Sequence, residues 1–140
     1  MRSGYLLLET SASHPGLVRL FIAESLPPLP GPAADPELRH AVRFEDITVA
    51  RMHAHERLRR RLVDIDAGLY RAGALEAVAA VEAIDLSHRR AYLDPALATD
   101  PALEPAIATL IARRQRRDRL WEWVGMAALV LLLIKLLVGI

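Results

Sequence analysis

Cysteine is absent from this 140-residue chain, which excludes disulfides, thiolate metal sites and a cysteine nucleophile. Glycine is scarce, seven residues in all, and scattered, so no glycine-rich loop exists to cradle a phosphate. There is no HExxH zinc motif and no GxSxG nucleophile elbow. Lysine is nearly missing: Lys135 is the only one among 18 basic residues. That arginine bias, with abundant alanine, leucine and proline, fits a GC-rich bacterial genome. No solenoid-length repeat and no sustained heptad pattern is found.

The charge that is present is unevenly placed. Residues 1–112 carry 12 Arg against 15 Asp and Glu, a balance of −3; residues 113–120 carry five Arg and one Asp, a balance of +4. The positive cluster leads straight into an apolar tract. From Val124 to Ile140 there are 11 residues of Leu, Ile or Val, with Lys135 the only charge. As a helix, residues 121–140 span about 30 Å, the thickness of a bilayer core. The 11 aliphatic residues favour insertion by roughly 3–7 kcal/mol in total. Lys135 lies near the far end, where its stem reaches the interface. Trp121 and Trp123 suit the near interface. Arg113, Arg114, Arg116, Arg117 and Arg119 are expected to stay on the cytoplasmic side. The N-terminal sequence MRSGYLLLETSASH does not read as a signal peptide. The layout expected is that of a tail-anchored protein, its N-terminal domain cytoplasmic and its C-terminus at the far side of a bacterial inner membrane.

The remaining roughly 100 residues suffice for one modest core. The apolar runs GYLLLET and GLVRLFIAES, separated by SASHPG, predict a β-hairpin within residues 1–25. Five of the nine prolines fall between Leu26 and Pro36, so 26–36 is expected to be an extended loop or spacer, with a second use as a docking peptide. RHAVRFED suggests a third strand. Asp46 or Thr48 then caps a helix expected to reach Tyr70, because Ala54, Leu58, Leu62, Ile65 and Leu69 make one apolar stripe. A second helix is predicted from Ala74 to Leu86, forming a helical hairpin with the first within residues 37–100. HRRAYLDP is ambiguous between helix end and edge strand. Residues 101–120 form a juxtamembrane basic helix. It is continuous with the anchor at 121–140, begins near Pro105 and packs on the domain through Ile107, Leu110 and Ile111.

The fold class expected is α+β, mainly α: a small N-terminal antiparallel sheet, a helical hairpin, and a long C-terminal helix ending in a single transmembrane span. The function expected is a non-enzymatic accessory, docking or scaffold factor at the cytoplasmic face, without a cofactor. Its partners are the lipid bilayer and a protein or larger membrane complex. The arginine cluster lacks the interleaved aromatics and continuing basic face of a nucleic-acid site, so nucleic acid is not expected. Arg57, Arg60 and Arg61 mark a candidate partner surface on the exposed face of residues 47–93. An alternative is a membrane-tethered metal or redox hairpin. His53 with Glu56, and Asp85 with His88, are i,i+3 pairs, the spacing by which helix bundles supply His and carboxylate ligands. A further alternative is a self-assembling homo-oligomeric scaffold.

Overall fold

The computed structural model describes residues 1–31 and 33–139. Strand β1 (Gly4–Thr10) turns through SASHPG into β2 (Val18–Ala23), and β3 (Glu37–Phe44) pairs with the other side of β1. β1 therefore lies inside the sheet, which explains its leucine triplet. Leu6 and Leu8 face the helices, while Leu7 faces the opposite side with Leu38 and Ala41. All three leucines are buried, each contributing roughly 1.5–3 kcal/mol. A strand buried on both faces needs no polar alternation. The proline-rich stretch runs beside the second face. Pro27, Pro28, Pro30 and Pro36 line a cavity of about 440 Å³ with Leu7 and Leu38. The stretch expected to be a spacer is thus part of the sheet's cover.

Helix α1 (Ile47–Leu58) starts as expected, with the Asp46 carboxylate accepting the Val49 N–H at 3.2 Å. It does not reach Tyr70. After Leu58 a single 3₁₀ turn, Arg59–Arg61, leads into two short strands, β4 (Leu62–Asp64) and β5 (Leu69–Tyr70). The helical stripe is real at Ala54 and Leu58, which are buried, and accidental beyond them, where Leu62 and Ile65 are exposed. Turn chemistry overrides it. Asp64 Oδ1 accepts the N–H groups of Asp66 and Ala67. Gly68 takes φ +68°, and Tyr70 and Leu69 pair with Val18 and Arg19 of β2.

Helix α2 (Ala74–Glu82) is shorter than expected. Ala77 to Val81 are buried without a break, so this helix has no solvent face at its middle and packs against the sheet, α1 and the last helix at once. Alanine makes such close approach possible. The ambiguous HRRAYLDP segment is strand β6 (His88–Leu93), paired to β3 at the sheet edge. Its Arg89 and Arg90 discourage further strand addition. The sheet has six antiparallel strands in the order β4-β5-β2-β1-β3-β6, confirming the α+β, mainly α class. A short helix α3 (Pro95–Ala98) precedes α4 (Leu103–Val138), which has 36 residues and is about 54 Å long. Leu103 and Ile107 are buried in the core, with Leu110 and Ile111 packed against it. Pro105 falls in the first turn, where its missing N–H costs nothing.

Gly68 is the tightest point of the β4–β5 turn. A Cβ there would lie 2.3 Å from the Leu20 carbonyl oxygen, in a left-handed backbone. Gly68→Ala is expected to lower stability by about 2 kcal/mol or more, read as a fall in the urea midpoint. An unchanged midpoint would show that the turn relaxes at no cost.

Candidate functional site

Two polar constellations lie around the C-terminal end of α2. The first is a clamp on Glu82, the last residue of that helix. Counting back from Phe44 and Val42, strand alternation places His40 on the helix face of β3. His40 is fully buried, and its Nε2 donates to Glu82 Oε1 at 2.8 Å. Arg90 Nε of β6 donates to the same oxygen at 2.7 Å. His88 Nε2 stands 3.6 Å from Glu82 Oε2, while its Nδ1 contacts the Leu86 carbonyl oxygen at 2.6 Å and its ring packs on Phe44. Burial alone raises the Glu82 pKa. Hydrogen bonds and charge from His40 and Arg90 overcome it and hold the carboxyl at about 2. Glu82 therefore stays ionised and ties α2 to two strands. His40 Nδ1 is buried with no partner, and the pocket beside His88 is lined by β3 and β6 residues that do not include His40 or Glu82. The arrangement joins the end of α2 to β3 and β6 and acts as a clamp between them.

The second constellation is a cleft of about 610 Å³ between α1, the end of α2 and the middle of α4. Arg57 from α1 and Arg113, Arg114 and Arg117 from α4 line it. Arg57 Nη2 and Arg114 Nη1 both donate to the carbonyl oxygen of Ala83, at 3.0 and 2.9 Å. Ala83 is the C-cap of α2, so two cations share the negative end of one helix. Their mutual repulsion is not small: unit charges about 6 Å apart repel by roughly 3 kcal/mol at an effective dielectric of about 20. Burial first, then the charges of Arg114 and Arg117, lower the Arg57 pKa. Arg114 also approaches Asp85 at 3.6 Å, Arg117 approaches Asp118 at 4.0 Å, and Glu56 pairs with Arg59 at 3.3 Å. Neither Arg57 nor Arg113 enters an ion pair among the described residues.

The residues singled out from sequence are thus distributed. His53, Glu56 and Asp85 do line one cleft, but arginines share it. His88 belongs instead to the Glu82 clamp. Among the described residues no group of three or more His, Asp or Glu side chains is placed to hold a metal ion. Arg57 lies in the cleft, whereas Arg61 pairs with Glu76 at 3.0 Å and donates to the Arg71 carbonyl, and Arg60 is exposed on the 3₁₀ turn. Arg116, Arg119, Trp121, Trp123 and Lys135 are exposed on α4. Arg114 is the last residue of α4 that the domain shields; from Gln115 to Gly139 every position is exposed. By length and composition α4 can cross a membrane, and none of its apolar window is buried in the protein.

No protein-family model, curated protein or solved structure matches this chain. Its function therefore has to be read from the chain itself. Sequence reasoning missed His40 and the sharing of Ala83 by Arg57 and Arg114. The alternation of β3 was a usable signal for the first. The second needed the docking of three helices, which no local pattern carries.

The Glu82 clamp contributes to the acid sensitivity of the domain. A carboxyl with a lowered folded-state pKa stabilises above its ordinary value of 4.5, and that contribution drains away as pH falls from 4.5 through about 2. Glu82→Gln is expected to lose about 3 kcal/mol at neutral pH, since Arg90 loses its counter-charge and the His40 contact loses its ionised acceptor. Its urea midpoint should also vary less with pH across that window than the parent's. Parallel pH profiles for the two proteins would assign the acid sensitivity elsewhere.

Proposed function

We propose that this protein is a membrane-anchored, non-enzymatic docking factor, holding a small binding domain at the cytoplasmic face of a bacterial inner membrane. The observation that carries the reading is the continuity of α4, which packs on α2 through Leu103 and Ile107 and then runs on as an exposed apolar helix without a linker. Anchor and domain share one continuous helix, which favours a fixed orientation of the domain as well as its concentration at the surface. The arginines of 113–119 favour the cytoplasmic side.

A docking surface is supported on the α1–β4 side. Met52, Val63 and Ile65 are exposed apolar residues. Met52 and Ile65 rim a pocket of about 280 Å³ floored by Leu6, Leu20 and Tyr70, and the Tyr70 hydroxyl contacts His55 Nδ1 at 2.8 Å. An exposed apolar rim around a concave, partly polar floor suits an anchoring side chain of a partner protein. The reading is tested by purifying the tagged full-length protein from native membranes in mild detergent. A partner recovered with the parent should fall by about tenfold or more with Ile65→Asp or Met52→Asp, in line with loss of one interface anchor, while membrane extraction and the melting curve stay as in the parent. Undiminished recovery with both variants would remove this surface from the reading.

A further inference from the structure

The arginine cleft is over-supplied with cations for a structural role. One guanidinium suffices to cap the Ala83 carbonyl, yet two are bound to it. Arg57 is shielded beside Arg114 and Arg117 without a carboxylate of its own. Arg113 lines the same cleft, exposed to solvent, and likewise makes no ion pair among the described residues. The acidic groups facing it are Asp85 and Asp118, engaged by Arg114 and Arg117, and Glu56, turned to Arg59. Arg57 and Arg113 thus line the cleft with no carboxylate in ion-pair range among the described residues, and the cleft suits an anion.

Its position says which anion. Arg117 and Arg113 precede Trp121 by four and eight residues, about 6 and 12 Å along the helix axis. The headgroup layer of one leaflet is about 5–8 Å deep, and a flexible arginine stem adds several ångströms of reach. With Trp121 and Trp123 at the interface of the candidate span, this spacing would set the Arg113–Arg117 stretch of the cleft near the level of lipid phosphates. Planar guanidinium groups bind phosphate oxygens in pairs, which suits a phosphodiester better than a compact cation does.

We propose that this cleft binds the phosphate of an anionic phospholipid headgroup, held by Arg57 and Arg113 with Arg117 closing the membrane side. The inference rests on the membrane-anchored reading above. The bound lipid neutralises the repulsion among the arginines and locks α1 to α4 at the bilayer surface, so the domain's tilt depends on lipid composition. Arg116 and Arg119 lie on the other side of α4 and act only through the general surface charge.

The test uses full-length protein solubilised in mild detergent and offered equimolar phosphatidylglycerol and phosphatidylcholine, with retained lipid counted by native mass spectrometry. The parent should retain phosphatidylglycerol in preference. Arg57→Gln should reduce that preference about tenfold, the loss of one charge-assisted contact, whereas Arg116→Gln should leave it near the parent's. Arg57→Lys should restore it in part, and the melting curve of each variant establishes that it is folded. An equal loss in Arg57→Gln and Arg116→Gln would mean a diffuse field and overturn the site. Inorganic phosphate competing as well as lipid would assign the cleft to a soluble phosphate and overturn the lipid. Loss of a co-purifying protein in Arg57→Gln, with lipid preference intact, would assign it to a protein contact. Carbonate extraction of the same membranes separates the two readings: protein released by carbonate defeats the anchor itself, while integrated protein with no lipid preference defeats only the cleft.

Discussion

Helix α4 closes its backbone hydrogen bonds within itself, and the rest of the molecule is arranged around that fact. A helix is the one form of single chain that passes from a protein core through an interface into hydrocarbon without exposing an unpaired peptide group. Here the same helix serves as both core element and candidate span. Its first turns bury Leu103 and Ile107 against α2, and its later turns bury nothing in the protein at all. The change happens at Arg114, whose side chain is 19% exposed and reaches back to the end of α2. A loop at that point would have let the domain swing. A continuous helix would transmit the orientation of the candidate span to the sheet.

That transmission requires α2 to be immobile, and α2 is weak as an isolated helix. It has nine residues, fewer than an isolated helix needs to be stable in water. It is held instead by burial of Ala77–Val81 on all sides and by the Glu82 clamp. Small side chains let the sheet, α1 and α4 approach it together. The ionised carboxylate at its C-terminal end sits unfavourably on the helix dipole, and His40 and Arg90 offset that from the strands. The two constellations are therefore complementary. His40 of β3 and Arg90 of β6 fix one side of the helix end, and arginines from α1 and α4 cap its final carbonyl.

Much of this order was legible in the residues. The hairpin, the third strand, the Asp46 cap, both helix starts and the long terminal helix follow from period, caps and prolines. The expected extension of α1 to Tyr70 failed because a helical stripe through Leu62, Ile65 and Leu69 coincided with a strand–turn–strand segment. Asp64 and Gly68 were its true punctuation. The first site idea also mixed two neighbourhoods. His53, Glu56 and Asp85 do meet in space, but His88 is turned by β6 toward Glu82. His40 passed unnoticed because a histidine in a strand has no motif around it; only the alternation of β3 points it at a helix.

The arginine run illustrates how one sequence feature carries two physical roles. Five arginines in seven residues read as a single topogenic cluster. On the helix they divide. Arg113, Arg114 and Arg117 continue the face that Ile107 and Leu110 use to pack on the domain, while Arg116 and Arg119 fall on the far side. A topology signal needs only positive charge near the span, in any rotation. The division by face is thus surplus to topology, and it places a cation from α1, Arg57, opposite cations from α4. Electrostatic repulsion across that gap opposes the very packing that orients the domain. An anion bound in the cleft would reverse the sign of that term, so the proposed lipid would steady the same joint between α1 and α4 that the arginines alone oppose.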